Sequence, residues 1–352
     1  MSHLKISNVK IAGITSCVPK MIEENKELSF FKKGEAEKVI ASTGIERRRI
    51  ADVDTTSADL CYDAAEDLLM GLNWRRDEID CLIFVTQTPD YILPSNACIM
   101  QGRRPKNGML YIRYILWLSG LGLWNECCCF SFIIWVYEEA LLLVGDTPTK
   151  FKSRNDKTAW PLFGDAGTAT ALEYSEESDD MFFTFATEGK SYRSIIVKDG
   201  GARNPVTENS LKEVVYGEGI ARRPLDSEMD GMSVFAFGLK RAPESVLDIL
   251  SFASLEVNEI DYFIFHQANL FMNEKIRKKL KIPEEKVPYS LRDYGNTSCA
   301  TIPLTLTASC NDMLKKKQKV IATAFGVGLS WGSIYFSTDL RYLSLIEYEG
   351  KL

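Results

Sequence analysis

WRRDEIDCLIFVTQ (residues 74–87) and LEVNEIDYFIFHQA (residues 255–268) are two versions of one pattern. Glu78-Ile79-Asp80 corresponds to Glu259-Ile260-Asp261, and Ile83-Phe84 to Ile264-Phe265, at an offset of 181 residues, close to half of the 352-residue chain. In each copy a polar turn runs into a short apolar segment rich in β-branched and aromatic residues, which predicts a strand buried on both faces. A segment with apolar residues at helical spacing precedes each copy: SADLCYDAAEDLLMGL (57–72) and APESVLDILSFASLEV (242–257).

A second pair follows in the same order. EEALLLVGD (138–146) with FGDAGTATALEY (163–174) resembles KKQKVIATAFG (316–326) running into GVGLSWGSIYF (326–336). Two matched blocks in one order point to duplicated α/β halves. Buried strands alternating with helices predict mostly parallel sheets covered on both faces. The halves, 1–175 and 176–352, are expected to join in the charged segment EESDDM near residues 175–180.

The composition suits a soluble globular protein: 45% hydrophobic residues, 26% charged, and a net charge of −6. An acidic balance argues against a general nucleic-acid binder, which needs a basic face. The nine cysteines form no CxxC pair and the opening MSHLKISNVK has no apolar signal core, so a reducing cytoplasm is expected.

One stretch stands apart, ILWLSGLGLWNECCCFSFIIW (115–135), which holds Trp117, Trp124, Trp135 and the triplet Cys127-Cys128-Cys129. Asn125-Glu126 interrupts its apolar run well short of the roughly twenty residues a bilayer helix needs. Three adjacent thiols cannot converge on one ion and no histidine lies near, so neither a membrane span nor a metal site is expected.

Chemistry has few places to sit. The chain has two histidines, and His3 lies in a terminus expected to fray. His266 directly follows the buried segment Tyr262–Phe265 and so falls at a strand's C-terminal end, the edge where open α/β sheets bind ligands. From position alone it is either a functional imidazole or a strand-end histidine bonded to a neighbouring carbonyl. Asn296 stands in YGNTSCATIP (294–303), where a Gly-Asn pair is most simply a turn. The glycines of AFGVGLSWG (324–332) and FGDAGTATAL (163–172) match no phosphate-binding spacing and would let packed backbones approach closely. The basic runs KIRKKLK (275–281) and LKKKQK (314–319) read as solvated surface.

Taken together, these segments resemble the β-ketoacyl-acyl-carrier-protein synthase III family. FHQANLFMNEKIRKKLKIPEEKV (265–287), YGNTSCATIP and AFGVGLSWGS look like its C-terminal half. STGIERRRIA (42–51), TQTPDYILPSNACIMQ (86–101) and LLLVGDT with LFGDAGTATALE look like its N-terminal half. The resemblance covers nearly the whole chain apart from about 102–139, and the insert around VKDGGARNPV (197–206) is more like synthases of surface-polysaccharide pathways. It implies an α/β thiolase-like fold, two duplicated halves in a five-layer αβαβα arrangement, and a cytoplasmic homodimer. It also implies a condensing acyltransferase that takes acyl-CoA and malonyl-acyl-carrier protein, with no metal, redox cofactor, membrane or nucleic acid.

Of the family's Cys-His-Asn site, the matched residues are His266 and Asn296. Two neutral donors aimed at one thioester carbonyl would stabilise the enolate formed as malonate loses carbon dioxide. Gln267, Ala268, Asn269, Leu270 and Phe271 match the segment that meets the carrier protein. Phe271 stands where a basic residue is frequent, which shifts the expected contact to Lys275, Arg277 or Lys278, a basic patch suited to an acidic carrier.

The cysteine is the departure. The resemblance implies a Gly-Cys-x-Gly at a helix N-terminus, where the helix end and nearby cations lower the thiol pKa. Nothing at about 115–125 supplies it, and Cys127–Cys129 have the wrong neighbours. Read one nucleotide later, codons allowed for Leu116–Gly120 can encode Phe-Gly-Cys-Pro-Gly. Trp124–Cys129 then becomes Gly, Met or Thr, Asn or Ser, followed by Val or Ala at each remaining step, and Glu138-Glu139 becomes Lys-Lys. The expectation is that about 102–139 are translated out of frame; as written, the chain could at most decarboxylate malonyl groups. The competing readings are a non-catalytic thiolase-like protein that binds acyl thioesters or pairs with an active homologue, and a thioester hydrolase, for which no Ser-His-acid signature exists.

Overall fold

The computed structural model describes residues 1–103, 110–114, 138–310 and 316–350; the expected nucleophile region at about 115–125 and the cysteine triplet lie outside these residues. Among the described residues eleven strands build the two large sheets. In chain order they are β1 (Ser2–Ile6), β2 (Val9–Val18), β3 (Cys81–Val85), β4 (Leu110–Tyr114), β5 (Glu139–Asp146), β6 (Ala166–Tyr174), β7 (Met181–Thr187), β8 (Tyr262–Phe265), β9 (Lys319–Gly326), β10 (Ser330–Ser337) and β11 (Tyr342–Glu347). One sheet runs β11-β2-β6-β5-β3-β4 and the other β1-β7-β10-β9-β8.

Laid side by side, the orders are the same except for β4, which has no counterpart among the described residues. β2, β6, β5 and β3 take the places of β7, β10, β9 and β8, so the repeat seen in the sequence is a repeat of topology. The end strands are exchanged: β1 pairs antiparallel with β7 of the second half, and β11 pairs parallel with β2 of the first. His3 is therefore not frayed. It stands in β1, with Nε2 2.7 Å from Asp248 Oδ2 and its ring stacked on Phe252 at 4.5 Å.

The expectation of mostly parallel sheets is also corrected. β8–β9, β3–β4, β3–β5 and β2–β11 are parallel, whereas β5–β6, β2–β6, β9–β10, β7–β10 and β1–β7 are antiparallel. Burial on both faces, which reads as a continuous apolar run, does not report direction; only the connection does. Gly326 is followed almost at once by Ser330, and a link that short can only reverse the chain.

Helix α1 (Ser57–Leu72) covers the outer face of the six-stranded sheet, α2 (Gly231–Ala253) and α3 (Leu270–Lys279) cover the other sheet, and α4 (Thr301–Ser309) lies between the sheets, touching β2, β6, β8 and β11. This is a five-layer αβαβα order. Strand pleating divides side chains between layers: Ile83 and Val85 face the space between the sheets, while Leu82 and Phe84 pack beneath α1. Each such fully buried Leu, Ile or Phe contributes about 1.5–3 kcal/mol.

α1 occupies the predicted residues and begins with a capping box in which Thr56 and Asp59 bond each other's backbone N–H. α2 starts earlier than its pattern suggested, at Gly231, because it continues through Pro243. Proline removes the N–H that would bond the Leu239 carbonyl. Lys279 Nζ from α3 donates to that carbonyl instead, at 3.0 Å. Among the described residues no helix is long and apolar enough to cross a membrane, and no cluster of three or more His, Cys, Asp or Glu is placed to hold a metal.

Candidate active site

β8 carries three buried residues in succession, Phe263, Ile264 and Phe265, and the next N–H, from His266, still bonds the Thr323 carbonyl of β9 at 2.8 Å. The chain then turns sharply, and the residues after His266 hold the turn. Gln267 is fully buried: its Nε2 donates to Phe265 O at 2.7 Å and its Oε1 accepts from Ser290 N at 3.2 Å. Asn269 caps α3, accepting from Met272 N at 2.8 Å, and Asn273 Nδ2 donates to His266 O at 3.1 Å.

Asn296 is placed from the opposite side by two glycines. Gly295 has φ +64°, and a Cβ there would lie 2.8 Å from the Leu162 carbonyl; a Cβ on Gly164 would lie 2.3 Å from Tyr294 O. The loops thus meet backbone to backbone: Asn296 N–H donates to Leu162 O at 2.8 Å and Gly164 N–H to Asn296 O at 3.2 Å. Gly164, in one of the two segments whose glycines were expected to permit close approach, does so; Gly295, in the Gly-Asn turn, does the same without having been expected to.

His266 and Asn296 line one cavity of about 1260 Å³. A run of short polar contacts behind them leads from one to the other. His266 Nδ1 is 2.8 Å from Thr301 Oγ1, Thr301 Oγ1 is 3.1 Å from Ser298 O, and Ser298 N–H donates to Asn296 Oδ1 at 2.9 Å. With Asn296 Oδ1 so occupied, its Nδ2 is the group left to donate. Burial pulls the imidazole pKa down to about 4, so His266 is neutral at physiological pH. The Thr301 hydroxyl has one proton; directed at Nδ1, the nearer acceptor, rather than at Ser298 O, it puts the ring proton on Nε2 and makes Nε2 a donor as well. Phe325 stands edge-on to the imidazole at 5.7 Å and keeps that side apolar.

Thr301 had no signal as a site residue in the sequence, because a threonine opening an apolar helix reads as an ordinary first-turn residue. The segment expected to meet a carrier protein divides. Phe271 is exposed, stacked on Phe235 at 5.7 Å, with Lys275 Nζ 5.3 Å above its ring. Ala268, Asn269 and Phe271 line the cavity mouth, and Leu270 opens α3 against Gly44. Gln267, by contrast, is interior, because both ends of its amide are held by backbone. Arg277 is nearly covered and bonded through two nitrogens to Glu274, which occupies the charge it would offer a partner.

No cysteine among the described residues lines the cavity. Burial pushes the thiols of Cys17, Cys61 and Cys299 well above their ordinary value and that of Cys310 to about 12; Cys299 is also bonded to Asp146. None of these four is an activated nucleophile.

Comparison with known proteins adds the following. Residues 250–338 match the family described as 3-oxoacyl-[acyl-carrier-protein (ACP)] synthase III C terminal. The chain is 30% identical to the beta-ketoacyl-[acyl-carrier-protein] synthase III of Clostridium perfringens, over 93% of this chain and 98% of that one. It is likewise 30% identical to the enzyme of that name from Rhodopirellula baltica, over 96% and 99%. The crystal structure of a 3-oxoacyl-(acyl-carrier protein) synthase from Burkholderia xenovorans superimposes with a TM-score of 0.91 at 36% identity, covering 98% of this chain and 99% of the other. The duplicated sheets and the full-length likeness agree, and the chain belongs to the β-ketoacyl-[acyl-carrier-protein] synthase III family.

Proposed function

We propose that this protein is a condensing acyltransferase joining an acyl group, delivered as acyl-CoA, to malonyl-acyl-carrier protein with loss of carbon dioxide, giving a 3-oxoacyl-carrier protein. The observation that carries the chemistry is the shared cavity of His266 and Asn296, with their bracing through Thr301 and Ser298. On this reading two neutral donors, His266 and Asn296, meet the thioester oxygen as it gains charge. As the malonyl C–C bond breaks and carbon dioxide leaves, the electron pair enters an enolate whose oxygen the donors hold. The enolate carbon then attacks the acyl thioester carbonyl: a C–C bond forms, the C–S bond breaks, and a thiolate departs. Neither donor changes charge in this sequence.

The reading includes an acyl-accepting cysteine encoded in the shifted frame of about 102–139, a carrier surface made by Phe271 and Lys275 at the cavity mouth, and a cytoplasmic homodimer of two 1–175/176–352 chains. The non-catalytic reading is less favoured, since His266 and Asn296 line one cavity with polar contacts behind both.

The test compares two proteins, the chain as written and the chain with that segment returned to frame, each given acyl-CoA and malonyl-carrier protein labelled in the carboxyl group. The chain as written should release labelled carbon dioxide without a condensed product, and the restored chain should do both. Failure of either protein to release carbon dioxide would remove His266 and Asn296 from the mechanism.

A further inference from the structure

The cavity wall holds a cation that the condensation does not use. Lys152 is only 8% exposed. Its Nζ donates to Ser227 Oγ and lies 4.1 Å from the centre of the Phe163 ring. Among the described residues no carboxylate lies within ion-pair distance of it. Two acids act on it from farther away, and both are already held by arginines: Asp156 Oδ2 is 3.1 Å from Arg222 Nε, and Asp226 Oδ1 is 2.8 Å from an Arg223 Nη. Burial lowers the amine pKa to about 8, with Asp156 and Asp226 opposing and Arg222 assisting, so the group stays charged at neutral pH.

A buried ammonium without a counter-charge is costly unless something supplies one. A lysine with a flexible stem would normally carry its charge to water; here Nζ is turned to a hydroxyl and an aromatic face on the wall of the cavity that also holds His266 and Asn296. Phe163 connects the two places, because its backbone bridges that of Asn296. Leu162, Val197, Leu225 and Met229 line the same cavity, as do Lys150, Lys157 and Arg223.

We propose that Lys152 and Ser227 form an acyl-recognition subsite that selects a donor thioester whose short acyl group ends in a carboxylate. An ammonium and a hydroxyl match the two oxygens of a carboxylate. The malonyl carboxylate is a poorer occupant, because a cation holding it would stabilise the group that must leave. This inference rests on the condensing function proposed above.

The experiment measures equilibrium binding of succinyl-CoA and butyryl-CoA, equal in carbon number, to the unaltered protein, to Lys152→Met and to Lys152→Arg. The unaltered protein should bind succinyl-CoA at least about tenfold more tightly. Lys152→Met should remove that preference and Lys152→Arg should keep part of it. Equal affinities in the unaltered protein, a comparison that needs no variant, would overturn the subsite and leave the condensing function standing. So would a preference that survives Lys152→Met. Binding of neither thioester would overturn the acyl-CoA reading and the subsite with it.

Discussion

Val85 and His266 occupy the same place in the two halves, 181 residues apart at the ends of the equivalent strands β3 and β8. Val85 packs into the apolar space between the sheets, while His266 faces a cavity with a threonine hydroxyl behind it. The opposite ends of the neighbouring strands differ as sharply. Lys319 opens β9, its carbonyl accepts from Asp261 N–H at 2.9 Å, and its Nζ is 3.5 Å from Glu259. Glu139 opens β5 and accepts from Asp80 N–H in the same way, at 3.0 Å, but its side chain faces Glu173 directly across the ladder, and its buried Oε2 has no hydrogen-bond partner. Burial, then Glu78, Glu173 and Asp80, raise its pKa to about 7. One scaffold thus shows two kinds of asymmetry. At the first pair a buried valine was exchanged for chemistry; at the second a site shaped for a cation holds an acid.

The largest test of the first asymmetry is His266→Ala or Asn296→Ala. Each should lower malonyl decarboxylation by about 10²–10³-fold. Val85→Ala should cost about 2 kcal/mol of stability and leave the rate alone. A comparable rate loss in well-folded Val85→Ala would break the comparison.

Next in size is a pH effect. An unfolded imidazole takes up a proton below about 6.5, and His266 in the fold does so only near 4, so the protein loses stability as pH falls through that window. The difference amounts to about 3 kcal/mol at pH 4 and should be absent from His266→Gln in denaturant titrations. Identical profiles for the two proteins would mean that the ring is solvated.

Thr301→Val should slow decarboxylation by about tenfold, about 1.4 kcal/mol, by freeing the tautomer that Thr301 sets, and Thr301→Ser should restore it. Equal loss in both would assign Thr301 to packing alone.

The smallest effect sharpens the second asymmetry. Glu139→Lys should raise stability by about 1 kcal/mol, and Lys319→Glu should lower it by a similar amount. Because the Glu139 carboxyl titrates higher in the fold than when unfolded, the chain as written should gain stability as pH falls from about 7 toward 4.5, and Glu139→Gln should lack that gain. A Glu139→Lys protein less stable than the chain as written would show that the position does not favour a cation.

The duplicated fold was legible in the sequence because strands buried on both faces keep the same residue classes in both halves, as Ile83-Phe84 and Ile264-Phe265 do. Strand direction and the exchange of β1 and β11 were not legible. SHLKI has one buried residue out of five, too little apolar character to announce a sheet partner. At the site, His266 could be read from its place at a strand end. Asn296 could not be told from a turn without the family resemblance, since what positions it is two glycines meeting carbonyls far along the chain. Gln267 was misplaced because neighbours in sequence share a motif while alternating between interior and surface. Lys152 sits in TKFKSRNDK, where every polar residue looks solvated; only folding reveals that its charge is enclosed.

The exchanged end strands carry a consequence for how the molecule is made. Residues 342–347 complete the sheet begun by residues 9–18, and residues 2–6 wait for a partner at 181–187. During synthesis the sheet of the first half cannot close until the end of the second half has emerged, so the first half must leave the ribosome with an open edge beside β2. Shortening the chain at either end would damage the half farther away along the sequence.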